Sequence, residues 1–181
     1  MTTGNGNYQR IVSKQDISGL RELEFPNTDM RIQVKPGRFF LRVRFGVRNA
    51  SAVPPFDESQ TFPCLVNLHR NVPLQMGANW FTHLRGDHRL LDATRGGDYK
   101  KVKMDLWVYR EAILSSGIDF KRPPMLLAMP NRPRILLGKQ VDCLPHIGVG
   151  SLLANQAKIT FDYSKSHVSM WLPSESSNKG S

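Results

Sequence analysis

Arg38, Arg42, Arg44 and Arg48 fall, with Phe40, on one phase of the segment 38–48. Phe39, Leu41, Val43, Phe45 and Val47 fall on the other. Guanidinium groups are planar, permanently charged and matched to phosphate and carboxylate groups. A row of them is chemistry for an anionic partner. Mixed charges would solvate a strand face equally well, so the single sign is informative. An ordinary solvated face, rich in arginine by chance, is the alternative. Lys100, Lys101 and Lys103 repeat the theme further along the chain.

Catalytic patterns are not visible. The chain has no phosphate-cradling glycine loop followed by Lys-Ser/Thr, no nucleophile elbow and no metalloprotease histidine pair. His83 and His88 stand five apart with Asp87 beside them, but two isolated histidines fall short of a structural metal site. Cys64 and His69 are close in sequence, which says nothing of their pairing in space. The chain therefore reads as non-enzymatic, with no metal and no cofactor. Trp80, Trp107 and Trp171 could stack on bases. Burial in a core is the preferred reading, because tryptophan is usually largely buried.

Strands are needed to present these side chains. Successive strand residues point to opposite faces, so segment 38–48 is expected to be a half-buried strand with Phe39, Leu41, Val43 and Phe45 in the core. In segment 100–110 the inward set is Val102, Met104, Leu106 and Val108, and Lys101, Lys103, Asp105 and Trp107 face the other way. Arg31 to Lys35 alternates as a short strand, and Pro36-Gly37 turns it into the arginine strand as a hairpin. Ile11 to Phe25 shows no clean period. Thr61 to Arg70 reads as a short helix, since Thr61 can cap it, Pro63 suits a first turn, and Phe62, Leu65, Val66 and His69 share a face. Asp87 to Thr94 reads as another, stopped at Gly96-Gly97. Arg134 to Lys139 reads as a strand, and 157–163 with 167–172 as a hairpin. The pattern predicts an α+β fold: an antiparallel sheet packed against a few short helices, with Pro-rich loops and flexible termini.

Length and charge bound the class. The 181 residues carry 25 Lys and Arg against 15 Asp and Glu, a net charge of +10. One globular domain is expected over 10–172, with a flexible arm over 1–9 and a disordered polar tail over 173–181. The positive excess points to nucleic acid, an anionic membrane surface or an acidic protein. With two cysteines, Cys64 and Cys143, the chain has no disulfide framework and no cysteine-built zinc site. Both are expected to be free thiols of a reducing compartment, with a single bridge as the alternative. The N-terminal segment has no apolar signal core, and no apolar run approaches the ~18 residues of a membrane span. The chain reads as soluble or peripherally bound.

Two Pro-punctuated stretches carry apolar residues that a sheet core need not absorb: Val53-Pro54-Pro55-Phe56 and Met125-Leu126-Leu127-Ala128-Met129. As exposed loops they would dock into a neighbouring copy or insert at a membrane interface. Coverage of one edge of the core by Leu126 and Leu127 is the competing reading.

The order of elements also resembles the globular domain of rhabdovirus matrix proteins, and within them a plant-infecting, cytorhabdovirus-like branch. The resemblance runs over residues 38–163. It rests on Arg38 to Asn49, on the basic-aromatic stretch Asp98-Tyr99-Lys100-Lys101, on Leu144-Pro145-His146, and on Ile147-Gly148-Val149-Gly150 followed by Lys158 to Tyr163. It departs from the family in its short, mildly basic arm, in its early end, and in Val53-Pro54-Pro55-Phe56, where animal-virus members carry Pro-Pro-x-Tyr. The resemblance implies a non-enzymatic structural protein that self-associates and bridges a viral nucleocapsid to an anionic membrane during assembly. It would be found in the virion, the host cytoplasm and the inner face of membranes. Arg38, Arg42, Arg44, Arg48, Lys100, Lys101 and Lys103 would form its anionic-membrane or nucleic-acid surface. Val53, Pro54, Pro55, Phe56, Met125, Leu126, Leu127 and Met129 would form its self-association or membrane loops. The alternative is a viral protein that binds RNA directly, as a small capsid subunit or a silencing suppressor. A hydrolase or nuclease would need clustered carboxylates or a His-Asp set, which the sequence does not offer.

Overall fold

The computed structural model describes residues 7–24, 31–47, 61–71, 74–80, 104–110, 112–114, 117–119, 124–129, 134–136, 138–140 and 142–174. Arg48, Val53 to Phe56, Lys100, Lys101 and Lys103 lie outside the described residues. So do His83, His88 and the helix expected over 87–94.

Among the described residues the strands run in order β1 (Tyr8–Asp16), β2 (Arg21–Glu24), β3 (Arg31–Val34), β4 (Phe40–Val47), β5 (Phe62–Asn67), β6 (Leu74–Gly77) and β7 (Met104–Tyr109). They continue as β8 (Ala112–Leu114), β9 (Gly117–Asp119), β10 (Met125–Leu127), β11 (Arg134–Leu136) and β12 (His146–Gly148). Helix α1 (Val149–Ala154), β13 (Lys158–Asp162) and β14 (His167–Pro173) come last. The fold is dominated by sheet. A seven-stranded sheet has the order β10-β7-β4-β5-β12-β6-β11, and a three-stranded sheet the order β1-β14-β13. Two ribbons, β2-β3 and β8-β9, accompany them. The large sheet is mixed, because β12 runs parallel to β5 and β11 parallel to β6.

β4 is an interior strand of the large sheet, between β7 and β5. Leu41 stands opposite Cys64, Val43 between Phe62 and Val108, and Phe45 opposite Leu106. All are buried, with the Phe45 and Phe62 rings 5.0 Å apart. Ile11, Val12, Val168, Met170 and Leu172 of the small sheet complete the same apolar cluster. The inward set expected for the arginine strand is therefore the observed one, and the hairpin of β13 and β14 also forms, in antiparallel register from Lys158 opposite Trp171 to Asp162 opposite His167.

Other expectations are corrected. The helix expected over 61–70 is the strand β5. Phe62, Cys64 and Val66 are buried at alternate positions, a period that a helical reading of Phe62 and Val66 also satisfies. Pro63 is accommodated opposite Arg42, at the cost of one backbone donor. The hairpin expected between β3 and β4 does not form. β3 pairs with β2, from Glu24 opposite Arg31 to Arg21 opposite Val34. Pro36-Gly37 does turn the chain: Arg38 N–H donates to Lys35 O at 3.2 Å, and Gly37 takes φ +84°. Proline followed by a left-handed glycine fits a type II turn. It delivers the chain into another sheet, pinned by Gly37 N–H to Ile17 O at 2.8 Å. Tyr8 and Gln9, assigned to the arm expected over 1–9, belong to β1, opposite Pro173 and Leu172. Pro173, assigned to the tail, belongs to β14.

One side chain ties the two sheets together. β1 is irregular between Val12 and Gln15, with Lys14 at φ +51°. Beyond this point the Gln15 amide accepts from Phe40 N–H at 3.0 Å and donates to Phe40 O at 3.1 Å. It serves the start of β4 as a neighbouring strand would. Gln15→Ala removes both bonds from a part-buried site, so it should cost about 2 kcal/mol. A urea midpoint equal to that of the parent would show that the clamp carries no stability.

Candidate functional site

The arginines of β4 do not form an open row. Arg42 stands between Tyr109 and Pro63, and Arg44 opposite Trp107. Tyr109, Trp107 and Asp105 on this face are buried, with Trp107 only 7% exposed. Arg42 and Arg44 are themselves half-buried, and Arg42 Nη1 donates to Thr61 Oγ1 at 3.3 Å. A central strand covered on both faces cannot carry a solvated basic stripe. Asp105, expected beside the lysines on an outer face, instead accepts from Met129 N–H at 3.0 Å through Oδ1.

Gly46 marks how closely this second face is packed. A Cβ there would lie 2.7 Å from Trp107 Nε1 and 2.8 Å from its Cδ1. Gly46→Ala therefore forces the indole or the strand to move and should cost about 1–3 kcal/mol. The expected result is a lower melting temperature with altered tryptophan emission. Unchanged values for both would show that the indole yields freely.

The stretch Met125 to Met129 is not a docking loop. Met125 and Leu127 are buried in β10, which pairs with β7 at the edge of the large sheet. Met129 is buried too, with Ser151 Oγ 3.4 Å from its sulfur. The Asn155 amide accepts from Ala128 N–H at 2.9 Å and donates to Ala128 O at 2.7 Å. Of the large apolar side chains in this stretch Leu126 faces solvent, 39% exposed. The competing reading, coverage of the core edge, describes Leu127 but not Leu126.

Of the described arginines in the predicted basic surface, Arg38 is the exposed one, and the fold gives it company that sequence reasoning missed. The turn before β4 meets the end of β5 and β13. Pro36, Gly37, Arg38, Phe39, Val66, Asn67, Leu68, His69 and Phe161 line a cleft of about 220 Å³. Among the described residues no carboxylate contributes to this lining. The far wall is held by Val66 N–H to Phe39 O at 3.1 Å and by His69 N–H to Asn67 Oδ1 at 2.9 Å. The exposed Arg70 follows His69, and its backbone carbonyl accepts from Val149 N–H at 2.7 Å. Phe161 meets Phe39 edge to face at 6.1 Å and stacks on Tyr163 at 5.8 Å with an interplanar angle of 10°. Tyr163 is 80% exposed. The arrangement joins an apolar floor, an exposed aromatic ring, an imidazole and the Arg38 guanidinium, with a second arginine next in the chain, and such a rim can hold a phosphate or carboxylate. The polar run Asn67 to Asn71 before Pro73 was a turn signal at this position. The helical reading of 61–70 obscured it.

Two neighbouring groups show the electrostatics. His146 in β12 is buried; Leu144 O is 3.0 Å from its Nδ1 and Gln75 Nε2 is 3.3 Å from its Nε2. Nδ1–H donating to the carbonyl and Nε2 accepting from the amide satisfies both contacts. Burial lowers its pKa below the ordinary 6.5, the Leu144 carbonyl opposes this, and Arg70 and Arg38 add to the lowering. Burial pushes the Cys64 thiol well above its usual range, so this side chain is not a poised nucleophile. Cys64 and Cys143 are free thiols.

The His146 shift has a defined sign. With its folded value below 6.5, its stabilising contribution is complete above about pH 6.5 and declines as pH falls from there toward the folded value. The urea midpoint should therefore drop below that pH, and His146→Gln should flatten this part of the profile. Parallel profiles for parent and variant would assign the dependence to other groups.

Comparison of the chain with protein-family models, with curated proteins and with solved structures finds no match.

Proposed function

We propose that this chain is a non-enzymatic assembly protein of the viral matrix type, which binds anionic surfaces and associates with itself. The observation that carries the reading is the cleft lined by Arg38 and His69, with the exposed Arg70 next in the chain and no carboxylate among its described lining residues, in a chain with a net charge of +10. Its anionic partners would be membrane headgroups and a viral nucleocapsid, in the virion, the host cytoplasm and the inner face of membranes. Completion of the sheets by Pro-rich loops and further short helices, as in an α+β plan, belongs to the same proposal. Arg48, Lys100, Lys101 and Lys103 would extend the basic surface, and Val53 to Phe56 would serve as a contact loop.

A second reading is favoured by one specific feature. The stacked Phe161–Tyr163 pair places an exposed ring beside the cleft, and ring-on-base stacking with nearby cations is how single-stranded nucleic acid is held. Direct RNA binding would then be the activity.

Vesicles of neutral and anionic lipid, and a single-stranded RNA, separate the two. Near an anionic surface each arginine contributes about 1 kcal/mol. Arg38→Gln with Arg70→Gln should therefore reduce binding to anionic vesicles about thirtyfold, with an unchanged melting curve. Loss of RNA binding in Tyr163→Ala, with vesicle binding intact, would favour the second reading. If neither ligand responds to the arginine pair, the cleft is not the anion site.

A further inference from the structure

The three-stranded sheet has one face in the core and one in solvent. Ile11, Val12, Val168, Met170 and Leu172 are buried, with Ile159 and Phe161 packed against them. By alternation, His167, Ser169 and Trp171 of β14 and Lys158, Thr160 and Asp162 of β13 face outward. Arg10 and Asp16 of β1 stand opposite Trp171 and His167.

The register sorts these residues into rows. Arg10 and Lys158 flank Trp171 on its two sides, and Lys158 Nζ lies 5.7 Å from the centre of the indole. Four residues back along β14, about 13 Å away, Asp16 and Asp162 flank His167 in the same manner. Between these rows, Thr160 stands opposite Ser169, whose Oγ accepts from Lys14 N–H at 3.0 Å. Arg10, Lys158, Asp16 and Asp162 are all exposed. One face thus carries Arg10 and Lys158 at one end, Asp16 and Asp162 at the other and hydroxyl groups at the centre, where the exposed Lys14 adjoins Ser169.

The carboxylates keep their charge. Asp16 Oδ1 accepts from Ser18 Oγ at 2.7 Å and from Ser18 N–H at 2.8 Å, and these bonds hold its pKa below the ordinary 3.8. Asp162 Oδ1 accepts from Ser164 Oγ at 2.6 Å and from Lys165 N–H at 3.3 Å, with the same result.

We propose that this face is an isologous interface between two copies of the chain. A two-fold axis running across the strands, through the Ser169 row, lays Arg10 on Asp16 of the second copy and Lys158 on its Asp162. The same operation sets Trp171 on His167 of the second copy, once in each direction. An axis along the strands would instead set cation on cation and carboxylate on carboxylate, which repel. The occupant is a second copy because it alone is certain to repeat the pattern and satisfy both ends. A polyanion such as RNA would meet Asp16 and Asp162 at one end. The contact closes on itself, so it yields dimers and not filaments. Three strands about 4.8 Å apart, of which β13 has five residues, offer less than the ~800 Å² per partner of a stable complex. The dimer is therefore weak and salt-sensitive. It does not depend on the anion-binding role of the cleft.

Sedimentation velocity of the full chain over a concentration series tests it. Two variants are needed: Arg10→Glu with Lys158→Glu, and Asp16→Asn with Asp162→Asn. Asparagine keeps an acceptor oxygen for Ser18 and Ser164, so the turns are retained. The parent should dimerise with rising concentration, less so at high salt. Each variant alone should lose about tenfold in association constant. An equimolar mixture of the two should recover association, since the intact carboxylates of the first variant meet the intact cations of the second. Melting curves verify that both are folded, and Lys158→Gln alone tests the basic row if the double reversal is unstable. A parent that stays monomeric, or a mixture that associates no better than its components, would overturn the proposal. So would an RNA affinity that falls in the first variant and rises in the second while the parent remains monomeric, which would assign the face to nucleic acid.

Discussion

β4 is enclosed on every side, and much of the molecule follows from that. β5 and β7 pair with its edges, its core face packs against the apolar cluster, and Trp107 and Tyr109 lie buried on the other face. A strand in this position has to accommodate whatever it carries. Guanidinium groups are costly to bury without hydrogen bonds, so Arg42 is held by Thr61 and Gly46 leaves room for the Trp107 indole. The charge available to a partner is displaced from the sheet centre to strand ends and turns. Arg38 and Arg70 are two places where it emerges.

The amino-acid sequence was most legible where period two was unbroken. The inward phase of β4 and the hairpin of β13 and β14 belong to this class. The outward phase of β4 was misread because alternation describes one strand and not what covers it. Only the partner strand β7, with Asp105, Trp107 and Tyr109 on the same side, decides that question. The segment 61–70 was misread for a related reason. Phe62 and Val66 are four apart, a spacing shared by a helix face and a strand face, and the pairing with β4 and β12 selects the strand. The cleft was less legible still. Arg38 and His69 are thirty-one positions apart and meet through sheet order alone.

Contacts made by single side-chain amides were not legible at all. Gln15 bridges both backbone groups of Phe40, and Asn155 does the same for Ala128. Each amide offers one donor and one acceptor in the spacing of a peptide unit. Each satisfies the backbone N–H and C=O of one residue, Phe40 at the start of β4 and Ala128 just after β10, and each acts over a long stretch of sequence. This is how the Met125 to Met129 stretch, which looks like an exposed apolar loop, is drawn into the edge of the large sheet. The amide of Asn155 supplies the partners of Ala128 from the end of α1.

The two candidate surfaces are related by the alternation of β13. Phe161 points inward and lines the cleft, while its neighbours Thr160 and Asp162 point to the opposite face. An anion bound at Arg38 and Arg70 and a second copy docked on the Trp171 face would therefore lie on different sides of one strand. Neither site would obstruct the other. A dimer formed in this way would carry two clefts, and avidity would couple them: the second cleft would engage a surface or polymer already held by the first, at a high effective concentration. Weak self-association and modest anion affinity would then reinforce one another only where anionic groups are dense, as on a membrane or a packed nucleocapsid. Free phosphate compounds in solution would not benefit. The same short strand would thus separate the charge that recognises the partner from the charge pattern that counts the copies.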